Sequence, residues 1–119
     1  MPLLGMVQIS TANGNRNGAG TLGTVYTAVG GGNGAIIQKV IIEQVGTTTA
    51  GVVRLYHDRT NTRMLAEVLV PAVTPSASVA TWSVTVDFPD GLRMIPTDAL
   101  KASTHKGETF NVFAIGAEL

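Results

Sequence analysis

From residue 35 onward the chain alternates apolar and polar positions with a period of two. The clearest stretch is Val79 to Phe88. Ala80, Trp82, Val84, Val86 and Phe88 fall on one side there, and Thr81, Ser83, Thr85 and Asp87 on the other, as in a half-buried strand. Ile36 to Val45 predicts a long β-branched strand with Lys39 and Glu43 on one face and Gln38 and Gln44 on the other. Gly51 to His57 sets Val53 and Leu55 against Arg54 and Tyr56, and the polar run Asp58–Arg63 predicts a hairpin into Met64 to Val70, with Glu67 on the face of Leu65 and Leu69. Pro89-Asp90-Gly91 predicts a turn into a short strand, Leu92 to Ile95. Leu100 to Thr104 and Thr109 to Ile115 form a last hairpin across His105–Glu108. No sustained helical period occurs, and Val, Ile and Thr are too abundant for helix. About eight strands at this spacing predict an all-β antiparallel sandwich, jelly-roll-like or immunoglobulin-like.

Residues 1–34 read differently. Asn13-Gly14, Asn17-Gly18, Asn33-Gly34 and the run Gly30-Gly31-Gly32 mark permissive backbone. One strand fits within Thr21–Ala28, through Val25, Tyr26 and Thr27. The division expected is an extended Gly/Asn-rich N-terminal arm, 1–34, and a sandwich domain, 35–119. Such an arm buries too little apolar surface to offset its own ordering entropy. It needs support from a neighbouring subunit or from its own domain. Leu3, Leu4, Met6, Val7 and Ile9 make a sticky strand on an Asn-Gly tether, suited to adding to a sheet edge of a neighbour. These five are the expected interface residues.

Composition sharpens this picture. At 119 residues the chain is of one-domain size. Absence of cysteine excludes disulfides and thiolate metal sites. Eight basic and eight acidic side chains cancel, which argues against binding driven by nucleic-acid phosphates. Charged residues make up 13% of the chain, half the usual share. With no net charge to keep copies apart, such a surface suits a protein covered by neighbours. The N-terminus has no basic region ahead of its apolar residues, so no secretory signal is expected. The apolar runs are too short to span a bilayer.

Candidate chemistry is sparse. Gly18-Ala19-Gly20-Thr21-Leu22-Gly23 matches the spacing of a dinucleotide-binding loop, but that loop must open a helix, and Thr24-Val25-Tyr26-Thr27 does not. His57, Asp58 and His105 offer no metal-ligand spacing, and Ser103 has no nucleophile context beside His105. No enzyme activity, cofactor or metal is expected. Arg54, Arg59 and Arg63 cluster on one hairpin among Asp58 and Glu67, as in a solvated hairpin with local ion pairs. Trp82 and Tyr56 could form a sugar-stacking platform, although Trp82 shares the apolar face of Val84 and Val86.

Three segments carry a resemblance. They are Gly46-Thr47-Thr48-Thr49-Ala50-Gly51-Val52-Val53-Arg54-Leu55, then Val70-Pro71-Ala72-Val73-Thr74-Pro75-Ser76-Ala77, then Leu100-Lys101-Ala102-Ser103-Thr104 with Glu108-Thr109-Phe110-Asn111-Val112. Together, over roughly residues 35–115, they resemble small structural virion proteins of tailed bacteriophages, of the capsid decoration or cement type. The resemblance implies a β-sandwich, a virion location on the head surface, and the major capsid protein and sister copies as partners. It also implies a homotrimer, with no nucleic acid or membrane partner. Two alternatives stand beside it: a tail, neck or fibre-associated virion protein, and a glycan-binding adhesion module using Tyr56 and Trp82.

Overall fold

The computed structural model describes residues 2–119. Eight strands run in chain order: β1 (Leu3–Ile9), β2 (Gly23–Thr27), β3 (Ala35–Gln44), β4 (Gly51–Arg59), β5 (Asn61–Val70), β6 (Ser83–Met94), β7 (Ala99–Thr104) and β8 (Phe110–Glu118). They form two antiparallel four-stranded sheets. Sheet A has the order β1-β8-β3-β6 and sheet B the order β2-β7-β4-β5. First pairs with last, second with seventh, third with sixth and fourth with fifth. The chain is therefore one long antiparallel ribbon, bent at the β4–β5 hairpin and rolled up on itself. That is the jelly roll, one of the all-β solutions to unpaired sheet edges.

The alternating positions fill the space between the sheets. Val40, Ile42, Val112 and Ala114 of sheet A pack in one cluster with Val53, Leu55, Leu100 and Ala102 of sheet B, all fully buried. Each such Val, Leu or Ile side chain contributes roughly 1.5–3 kcal/mol. At the β1–β2 side the sheets pinch together: a Cβ on Gly5 would collide with the Val25 carbonyl. At the β5–β6 side they stay open, and Ala66, Val68, Val84 and Val86 are only half-buried.

The boundary expected at residue 34 does not divide the structure. β1 adds to β8, and β2 adds to β7, so residues 3–9 and 23–27 supply one strand to each sheet of the same chain. The expected tether is not loose either. Residues 10–22 cross the outer face of sheet B as a strap. Asn13 is its clasp: its Nδ2 donates to the carbonyls of Ala19 (3.0 Å) and Thr21 (2.9 Å), and its Oδ1 accepts the Asn15 N–H (2.9 Å). The Asn/Gly composition thus supplies side-chain-to-backbone bonds and tight bends rather than slack.

Pro89-Asp90-Gly91 is not a turn between strands, because β6 runs through it from Ser83 to Met94. Register with β3 shifts there, Lys39 opposing Asp87 and Ile37 opposing Leu92. The extra residues form a bulge, which an edge strand tolerates together with the missing proline N–H. Gly91 sits at φ 78°, and a Cβ there would strike the Ile36 side chain.

Trp82, Val84, Val86 and Phe88 pack against the core as the alternation predicts, but Ala80 is exposed. Ala80 precedes β6, in a connection the sheets do not cover. Gln44 closes this end of the sandwich. Its buried amide donates to the carbonyls of Gly46 (2.8 Å) and Val73 (3.0 Å) and accepts the Trp82 N–H at 2.5 Å.

Candidate interaction surface

The five residues expected at an interface divide between two faces of β1. Leu4, Val7 and Ile9 belong to the core of their own chain. Leu3 and Met6 point outward and stay 54% and 53% exposed, on the side of sheet A turned away from sheet B. Register then shows what lies beside them. Met6 pairs with Phe113, Phe113 with Ile41, and Ile41 with Thr85, one row across all four strands. The row on one side reads Gln8, Asn111, Glu43, Ser83. The row on the other reads Leu3, Ile115, Lys39, Asp87.

Sheet A is consequently apolar on both faces at its centre. Val40 and Ile42 are fully buried, whereas Ile41 between them is half-buried and lies outside the core cluster, as do Phe113 and Ile115. An antiparallel sheet with one wet face ordinarily reads hydrophobic-in, polar-out. A contiguous outward group of Leu3, Met6, Phe113, Ile115 and Ile41 departs from that rule, which makes this face the candidate interaction surface.

Three charges frame this group. Lys39 and Glu43 stand on the outward face of β3, two residues either side of Ile41, and Asp87 stands beside Lys39 on β6; none makes an ion pair among the described residues. Phe113, Ile115 and Ile41 were not among the residues the sequence pattern singled out. Their signal was the adjacent pairs Ile36-Ile37 and Ile41-Ile42, which break strict alternation and make a strand apolar on both sides.

The outer face of sheet B is covered by the strap. Arg54, only 7% exposed, reaches the Asn13 carbonyl (3.5 Å) and donates Nε–H to Glu67 at 2.7 Å. The hydrogen bond from Arg54 holds the Glu67 carboxyl below the usual carboxylate range against its partial desolvation, with Arg16 adding to the effect. Tyr56 is fully buried beneath the strap and donates its hydroxyl to the Asn15 carbonyl (3.0 Å). Trp82 packs edge-on against Phe110, ring centres 6.2 Å apart. The two aromatics therefore lie in different layers and share no platform.

Further ion pairs lie elsewhere on sheet B. Asp98 is 2% exposed; it accepts from Arg59 (2.7 Å) and the Ile95 N–H (3.0 Å), and its Oδ2 lies 3.0 Å from His57 Nε2. Burial pushes this carboxyl up, but the bonds from Arg59, His57 and Ile95 outweigh it and hold it low. Asp58 pairs with Lys101 at 3.0 Å, while His105 is exposed. Hence His57, Asp58 and His105 do not converge. Gly18 to Gly23 closes the strap and starts β2, with no helix after it. A cavity of about 110 Å³ lies between the strap and β7, bordered by Gln8, Thr11, Thr21 and Ser103, and none of its lining groups is titratable.

No protein-family model matches this sequence, and no curated protein matches it. Among solved structures the chain is similar to a pentameric capsid protein isolated from metagenomic phage sequences. The two are 16% identical with a TM-score of 0.44, over 99% of this chain and 70% of that one.

Proposed function

We propose that this chain is a non-enzymatic structural protein of a phage virion. More finely, it is a decoration (cement) protein that binds the assembled head beside the major capsid protein and sister copies. The observation that carries the reading is sheet A, apolar on both faces at its centre in a chain where charged residues are 13%. Such a protein is made to be covered, and a shell supplies many equivalent neighbours. Jelly rolls serve as capsid domains and also as lectins, so the fold alone does not choose. The separation of Tyr56 from Trp82 removes the aromatic pair on which the glycan reading rested.

A cement protein that binds the assembled shell but not its free subunits stabilises the shell by mass action. Repetition over one lattice makes modest contacts collectively strong. A homotrimer at threefold positions is the cyclic form of this reading, closing through contacts between unlike patches. Quantitative mass spectrometry of purified particles tests it. Hundreds of copies per particle are expected; about a dozen would move the protein to the tail or neck, and none would remove it from the virion.

A further inference from the structure

We propose that the outer face of sheet A binds the same face of a second copy, around a two-fold axis running along the row Met6, Phe113, Ile41, Thr85. The inference goes beyond the virion reading by naming a second copy as what covers the face on which that reading also rests, and its test reads self-association apart from attachment to particles.

Charge selects the partner and its orientation. Lys39 and Glu43 are four residues apart on β3, about 13 Å along the strand, with Ile41 midway between them on the same face. Rotation about an axis through the Ile41 row reverses the strand direction of the second copy. Lys39 then faces Glu43 of the other copy, and Glu43 faces its Lys39, so one axis makes both pairs. Asp87 falls opposite Ser83, whose hydroxyl can donate to it. A two-fold axis along β3, which keeps the strands running the same way, would instead set Lys39 on Lys39 and Glu43 on Glu43, and like charges pressed together in an apolar setting are strongly unfavourable. A face whose opposite charges meet reciprocally across one axis suits an isologous contact.

Along the axis apolar residues fall on one another, while Leu3 and Ile115 come to lie opposite Gln8 and Asn111 of the other copy. Met6, Phe113 and Ile41 stack on their own counterparts, at the roughly 10 Å spacing of packed sheets and with strands within about 30° of alignment. With no net charge, copies meet without long-range repulsion. A cyclic assembly through other patches leaves this face available to join two rings.

Charge reversal tests the arrangement. By analytical ultracentrifugation the wild-type chain should be dimeric at micromolar concentration. Lys39→Glu and Glu43→Lys, each alone, should weaken dimerisation about tenfold or more. An equimolar mixture of the two variants should dimerise again, because one copy then carries two acids and the other two bases. The double reversal K39E/E43K should behave as wild type, which also shows that the substitutions leave the fold intact. A monomeric wild type overturns the proposal. So does any oligomer indifferent to the reversals, or a pair of single variants not rescued by mixing. A monomer that loses attachment to particles on Phe113→Glu gives the face to the shell, and likewise overturns it. A chain that dimerises by this rule yet is absent from particles keeps the contact and loses the virion role.

Discussion

Tyr56 on β4 donates its hydroxyl to the backbone carbonyl of Asn15, forty-one residues earlier in the chain, at 3.0 Å. Through this bond the Asn/Gly-rich segment becomes part of the fold. Because the ring is fully buried, Tyr56→Phe should cost about 1 kcal/mol, and Asn13→Ala, which orphans three backbone groups at the clasp, about 2–3 kcal/mol. Chemical denaturation measures both. The slope with denaturant should stay unchanged for Tyr56→Phe, since the strap remains in place.

Deleting residues 2–20 should abolish folding. The deletion removes Leu4, Val7 and Ile9 from the core and strips β8 of its outer partner. It also uncovers the buried Arg54 and Tyr56. Circular dichroism of the truncated chain should show no cooperative melt, and the exposed β8 edge should make it aggregate. A cooperative transition in a soluble truncated chain would contradict the assignment of β1 to the sandwich.

Much of this architecture was legible from alternation alone. The all-β class, the inward set Trp82, Val84, Val86 and Phe88, and the β4–β5 hairpin follow from local pattern and turn residues. The hairpin expected across His105–Glu108 does not form: that turn carries the chain from sheet B to sheet A, where β8 pairs with β1 and β3 instead of β7. Pairing of β1 with β8 and β2 with β7 is non-local, and nothing in the segment Leu3–Ile9 names its partner. Lacking a partner, the N-terminal strand read as an arm. Pro89-Asp90-Gly91 carries turn chemistry but sits on an edge strand, where a bulge accommodates it. The surface on sheet A was half legible: Leu3 and Met6 were expected at an interface, but Phe113 and Ile115 join them only through register.

Depth of burial separates two aromatic substitutions. Phe110 is 1% exposed and central to the core, so Phe110→Ala should cost about 3–5 kcal/mol. Trp82 meets it edge-on but is only half-buried at the open side of the sandwich, so Trp82→Ala should cost less, about 2–3 kcal/mol. Thermal melts of the pair give the order directly, and the reverse order would contradict the placement of Trp82.

Acid should loosen the end of the sandwich held by Asp98. Its carboxyl is held below the ordinary value of about 4 by Arg59, His57 and the Ile95 N–H, despite burial. A depressed folded-state pKa contributes stability that is present above the unfolded value and lost as pH falls through the folded one. Glu67, held low by Arg54, has the same sign. Stability should therefore decline below about pH 4. Asp98→Asn should be less stable at neutral pH and show a flatter decline, as read from melting temperatures at several pH values.

The chain has no cysteine, so a single spin label can be placed without background. Thr85 is exposed and ends the row that begins at Met6. With sheets packed about 10 Å apart around the two-fold axis, labels at Thr85→Cys in two copies should lie within about 25 Å of each other. Double electron–electron resonance should show that short intermolecular distance in the wild-type background, and lose it on Lys39→Glu. A signal with no intermolecular distance at a concentration where the protein is dimeric would contradict the claim that the outer face of sheet A is the covered one.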